Sequence, residues 1–108
     1  MSSIREYAAH WFAHTSLRID TPYRLGVVHE TVRGVANARP GFAPELRSIA
    51  LDALGRTDRE LVHRALAVLA VLGCPEDLAA IAPLTESEDS WIGGAARAAR
   101  FEIEHRAA

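Results

Sequence analysis

The chain has 108 residues, with twelve cationic side chains that are all arginine, fourteen carboxylates and a formal charge of -2 at neutral pH. That length suits one domain rather than two, burying roughly 65% of the surface the unfolded chain exposes. The charge leaves no cationic excess to hold nucleic acid by phosphate neutralisation alone, and the single cysteine, Cys74, excludes an intramolecular disulfide and a cysteine-rich zinc module.

Helix signals then follow one another along the chain. Ser3 and Glu6 have capping-box spacing, and Ile4, Tyr7, Ala8, Trp11 and Phe12 recur on one face, so a first helix is predicted to end near Ser16. Asp20 or Thr21 caps a second, with Pro22 at its first position and Leu25, Val28, Val32 and Val35 at alternating intervals of three and four; it stops before Pro40 and Gly41. Pro44 opens a third, with Leu46, Ile49, Ala50, Ala53 and Leu54 on its apolar side and Gly55 as a left-handed terminator.

Thr57 or Asp58 starts the fourth helix, whose stripes are Leu61, Ala65, Val68 and Leu72, and beside them Val62, Leu66 and Leu69. From Ala65 to its end no polar side chain interrupts it, so this helix should be covered on several sides as a central element. Gly73 ends it. Pro75 begins a fifth helix, with Glu76 and Asp77 placed for its dipole, and Ser90 caps a sixth that runs to about His105. The expectation is all-α, with six helices in three pairs and no sheet. The longest apolar run, residues 65–72, falls far short of the roughly 18 residues of a bilayer span. The opening MSSIREYAAH carries no signal-peptide pattern, and the expected location is cytoplasmic, with no membrane partner.

The last two pairs repeat. At an offset of 31, Pro44 aligns with Pro75, Glu45 with Glu76, Asp58 with Asp89, Leu61 with Ile92, Ala65 with Ala96, Val68 with Ala99 and Leu72 with Ile103. Helix pairs repeated at such a period stack into solenoids, because one pair cannot bury its apolar faces alone.

The wording of these segments resembles the HEAT-like repeat family, in the short form found in phycobilin lyases and many bacterial proteins. Pro83, Leu84, Asp89, Ile92, Ala95, Ala96 and Ala99 carry the resemblance in the last pair, and Asp58, Val62, Ala65 and Leu69 in the middle pair; it spans about residues 44–104. His63 and Gly93 stand where such repeats usually have an arginine after the valine, which departs from the family's internal Asp-Arg ladder. The resemblance implies one HEAT-like domain over residues 1–108, an α-solenoid of three antiparallel helix pairs at 3–38, 44–73 and 75–106. The first pair fits the topology without the motif, as a capping pair or an unrelated hairpin. The implied function is a noncatalytic protein-protein interaction module, an adaptor or a stoichiometric inhibitor of the immunity type. The bilin-lyase likeness supplies an alternative, an enzyme or enzyme subunit using Cys74 or the histidines. Nucleic-acid binding, as in HEAT-like DNA glycosylases, is disfavoured by the net charge and the short stack.

Two surface features are candidates for binding. Arg33, Arg64 and Arg97 recur near the repeat period on the second helices of successive pairs, which line the inner surface of a HEAT-like stack; with His63 they would face an acidic partner protein, unless the spacing is chance. The acidic turn of Glu86, Glu88 and Asp89 carries Trp91, either as an interface anchor or folded back onto the end repeat. Homo-oligomers would form through the end faces of the stack.

Catalytic and metal chemistry find less support. Glu6, His10 and His14 share a helix face, yet three ligands on one helix do not close a structural site, so no metal and no cofactor are expected. His29 opens a zincin-like stretch, but Arg33 occupies the second histidine's place. No Gly-x-Ser-x-Gly elbow or phosphate loop occurs; Cys74 reads as packing or a cap, and Gly93 and Gly94 as a point of close helix approach.

Overall fold

The computed structural model describes residues 3–107. Six α-helices and no strand occur among them: α1 (Ile4–His14), α2 (Pro22–Ala38), α3 (Phe42–Ala53), α4 (Arg59–Leu72), α5 (Leu78–Ile81) and α6 (Ser90–Ala107).

Most helix starts lie where their capping chemistry puts them. Ser3 Oγ accepts the Glu6 amide while the Glu6 carboxylate accepts the Ser3 amide, a closed capping box on α1. Thr21 Oγ1 accepts the Arg24 amide ahead of Pro22. Asp58 accepts the amides of Glu60 and Leu61 at the start of α4. Between α2 and α3 the chain reverses at Gly41, whose φ of 85° is the left-handed geometry that glycine adopts without strain. The third helix therefore begins at Phe42, two residues before Pro44, and Pro44 sits in its first turn, where a missing N–H leaves no helical bond unmade.

Three other expectations are corrected. Gly55 is not left-handed: α3 finishes through Leu54 in right-handed geometry, and Gly41 is the positive-φ glycine among the described residues. The fifth helix is one α-turn between two 3-10 turns, Pro75–Asp77 and Ala82–Glu86. Pro83 has no amide to give to the carbonyl of Ala79, and Asp77 turns back on Cys74 rather than leading a helix. The sixth helix is capped by Asp89 and not by Ser90, because the Asp89 carboxylate accepts the amides of Trp91 and Ile92.

Packing makes α4 the centre. Its residues Val62, His63, Ala65, Leu66, Ala67, Val68, Leu69, Ala70 and Val71 are all buried, which accounts for its lack of a polar side. It touches α3, α6 and α2, while α1 packs on α3 and α2 packs on α4. Phe42, Leu46, Leu66, Leu69, Ile81 and Ile103 are the largest enclosed apolar side chains, and Tyr7 and Trp11 present their rings edge-on to Phe42 at 5.8 and 5.2 Å. Ala95, Ala96 and Ala99 face the core from α6. The tightest approach lies at Gly73, and Gly93 is close-packed too, since a Cβ there would stand 3.3 Å from the Ser87 carbonyl oxygen, but Gly94 is open. A Cβ on Gly73 would stand 2.5 Å from Ile103 Cδ1, whereas one on Gly94 would meet nothing within 4 Å.

Candidate functional site

The first half of α4 gathers the polar residues that the helix does contain. His63 lies one turn into α4 beside Val62 and is only 1% exposed, so it is part of the interior and not of the binding surface expected for it. Its Nε2 accepts the Ile19 amide at 3.2 Å, and its ring stacks on the Trp91 indole with centroids 3.9 Å apart and planes 12° from parallel. Burial pushes the imidazole pKa below its ordinary value, against the opposing pull of Asp20.

Trp91 is therefore folded back onto the molecule. Its Nε1–H donates to Asp20 at 3.3 Å, and the Arg59 guanidinium lies over the ring 4.5 Å from its centroid. Arg59 also grips Asp89 through two hydrogen bonds of 2.7 and 3.0 Å. That pairing and the two helix amides hold the Asp89 carboxyl down at about 2, with the Arg59 hydrogen bond as the largest cause. Asp89 is thus a cap and an ion-pair partner, while Glu86 and Glu88 remain exposed beside it.

The three arginines do not share one environment. Arg64 donates to the Ala13 carbonyl at the end of α1, at 3.2 Å, with its guanidinium 5.8 Å from the centroid of the Phe12 ring. Arg97 donates to the Thr85 carbonyl at 2.9 Å. Arg33 is exposed on α2. Two of the three side chains thus tie backbone segments together.

The remaining candidates also have local partners. His10 and His14 stack at 4.2 Å, His14 Nδ1 meets the His10 carbonyl, and Glu6 belongs to the capping box. Among the described residues no group of three or more His, Cys, Asp or Glu side chains is placed to hold a metal ion. Cys74 precedes the turn at Pro75 and its amide donates to Asp77 at 2.8 Å. Asp77, buried at 4% exposure, takes both Nε and Nη2 of Arg47 at 2.8 and 2.6 Å. Burial pulls the Asp77 carboxyl upward, but Arg47 and the Cys74 amide outweigh it and leave the group below its ordinary value.

Sequence reasoning missed the surface that stands open. On α2, Tyr23 is 80% exposed and Val27 44% exposed, one helical turn apart. Beside them is a cleft of about 180 Å³ lined by Ser16, Arg18, Tyr23, Arg24, Val27 and Val28. A separate groove of about 330 Å³ runs between the start of α2 and α6, past Ile19, Leu25, Ala98 and Phe101. The missed signal was the pair Tyr23 and Val27, which falls off the Leu25, Val28 and Val32 stripe. No helix among the described residues is long and apolar enough to cross a membrane.

Compared with known proteins, the chain matches no family model, no curated protein and no solved structure.

Proposed function

We propose that this chain is a noncatalytic protein-binding module, built as a short HEAT-like stack, that engages an acidic partner through the exposed face of α2. The observation that carries the reading is Tyr23, an aromatic side chain left 80% exposed beside Val27 on a well-capped helix. Isolated exposed apolar residues are ordinary, but an aromatic and an aliphatic one turn apart, bordered by cations, match the makeup of interface anchors. Arg18 and Arg24 border the cleft and supply the cationic rim that the arginine ladder was expected to give. Arg24 stands only loosely against Asp20, at 3.7 Å, so its guanidinium can be recruited by a partner carboxylate.

The contacts of α1 with α3 and of α2 with α4 and α4 with α6 support the stacked arrangement. They fit α1 and α3 as one layer against a second layer of α2, α4 and α6 with α4 at its centre. In this reading α2 is the outer member of the second layer, and its free face is where a partner adds on.

The test is titration of the isolated partner. Binding should saturate at a fixed molar ratio and be unaffected by Cys74→Ser. It should weaken by about tenfold or more in Tyr23→Ala, the scale of a loss of 1.4 kcal/mol or more at an anchor residue. Turnover of a substrate, or unchanged affinity in Tyr23→Ala, would count against it.

A further inference from the structure

The chain between α1 and α2 has neither helix nor strand from Ser16 to Ile19, yet Leu17 and Ile19 are buried. Its backbone is tied to α4 by the hydrogen bond from the Ile19 amide to His63 Nε2. Because Nε2 accepts, the neutral ring carries its proton on Nδ1, and Nδ1 is buried without a hydrogen-bond partner. The same ring stacks on Trp91, and Trp91 in turn donates to Asp20, the residue after Ile19. One imidazole and one indole thus hold two consecutive residues of the segment.

We propose that His63 is an acid-released latch, and that uptake of a second proton by its ring frees residues 17–20 from α4 while the helices stay packed. The proton arrives at Nε2, the lone pair that accepts from Ile19, so two N–H groups then point at one another and the hydrogen bond is lost. The ring, itself only 1% exposed, also becomes a cation in the interior, a costly arrangement unless water reaches it. Withdrawal of the segment admits that water.

The charges around the ring come from each element packed on it. The segment contributes Asp20, which favours the cation, and Arg18, which opposes it; α4 contributes Glu60, which favours it; α6 contributes the Trp91 backbone, which also favours it. Asp20 is shared with Trp91 and Arg24, and Arg59 is held by Asp89. Burial outweighs the favourable groups, so the closed form binds the proton less readily than the open one. Opening therefore increases as pH falls below the ordinary histidine value of 6.5, by about tenfold per pH unit for one linked proton, until the closed form titrates too. Arg18 travels with the segment and lines the cleft beside Tyr23. The consequence that acid disturbs partner binding rests on the function proposed above, whereas the latch does not.

Amide hydrogen exchange in the full chain tests the latch without any partner. Protection of the Ile19 amide, corrected for intrinsic exchange rates, should fall by more than about tenfold from about pH 7.5 to about pH 5, while the Leu66 and Leu69 amides keep theirs. His63→Gln, whose side-chain oxygen accepts a hydrogen bond but does not titrate, should flatten the Ile19 profile. Unchanged Ile19 protection would overturn the proposal, as would an equal fall at Leu66 and Leu69, which would mean global unfolding. Should His63→Gln fail to fold, the ring's own titration in the wild-type protein must share its midpoint with Ile19 exchange; separate midpoints would overturn the latch.

Discussion

Arg47 on α3 grips Asp77 behind α4 through two hydrogen bonds that span 30 positions of sequence, and Arg59 grips Asp89 across the same 30 positions. Arg47 thereby ties α3 to the turn that follows α4, and Arg59 ties the start of α4 to the start of α6. Asp77 is nearly enclosed, while the Arg47 side chain keeps 29% of its exposure. Asp77→Asn should cost about 2 kcal/mol, below the 3 to 5 of a fully buried broken pair, because Arg47 recovers some hydration. Urea unfolding should show the loss, and a change under half a kcal/mol would mean that the pair contributes little.

Acid stability should reflect both carboxylates. Asp77 and Asp89 each titrate below their ordinary value of 3.8, Asp89 at about 2. A depressed folded-state pKa gives stability that is complete above the unfolded value and lost as pH falls through the folded one. The melting temperature should therefore decline below about pH 4 in the wild-type protein, and less steeply in Asp89→Asn. An identical slope in that variant would mean that Asp89 contributes nothing to acid stability. His63 has the same sign in a higher window, where stability is complete above 6.5 and falls below it.

Glycines separate close approach from open surface. Gly73→Ala should destabilise by about 1 to 3 kcal/mol, because the new methyl group meets Ile103 and the Leu69 carbonyl at 2.5 Å. Gly94→Ala, where the added carbon meets nothing within 4 Å, should stabilise by up to about 1 kcal/mol through helix propensity. Thermal unfolding of the two variants checks the contrast, and the reverse order would misplace the crossing of α4 and α6.

In the core, Leu69→Ala should cost about 2 to 5 kcal/mol, since Leu69 is fully enclosed. Arg64→Glu should act on stability by about 1 kcal/mol, because it removes the donor to the Ala13 carbonyl and sets a carboxylate against the end of α1. Denaturant midpoints of both variants measure this; an Arg64→Glu protein as stable as wild type would restore that arginine to the candidate binding residues.

The helices were legible where one residue's chemistry decides a boundary. Ser3 with Glu6, Thr21 with Pro22, and Asp58 supply caps that need no tertiary partner, and the unbroken apolar run after Ala65 placed α4 in the centre. The fifth helix was misread because Pro83 and the pull of Arg47 on Asp77 break a periodicity that looks regular by hydrophobicity alone. His63 was misplaced for a related reason. It shares a helix face with Ala67 and Ala70, both buried, and that apolar face was the available sign that it points inward; its partners, the Ile19 amide and Trp91, are distant in sequence. Arg64 and Arg97 were expected on a shared surface, but their carbonyl partners could not be read from spacing.

Binding through α2 is tested by site-specific photo-crosslinking in the native cell, with the probe at position 23 on α2 or, as a control, at position 52, where Asp52 is also exposed on α3. Binding through α2 predicts one discrete crosslinked protein from position 23, at a ratio that saturates, and none from position 52. No product at position 23, or the same products at both positions, would contradict it.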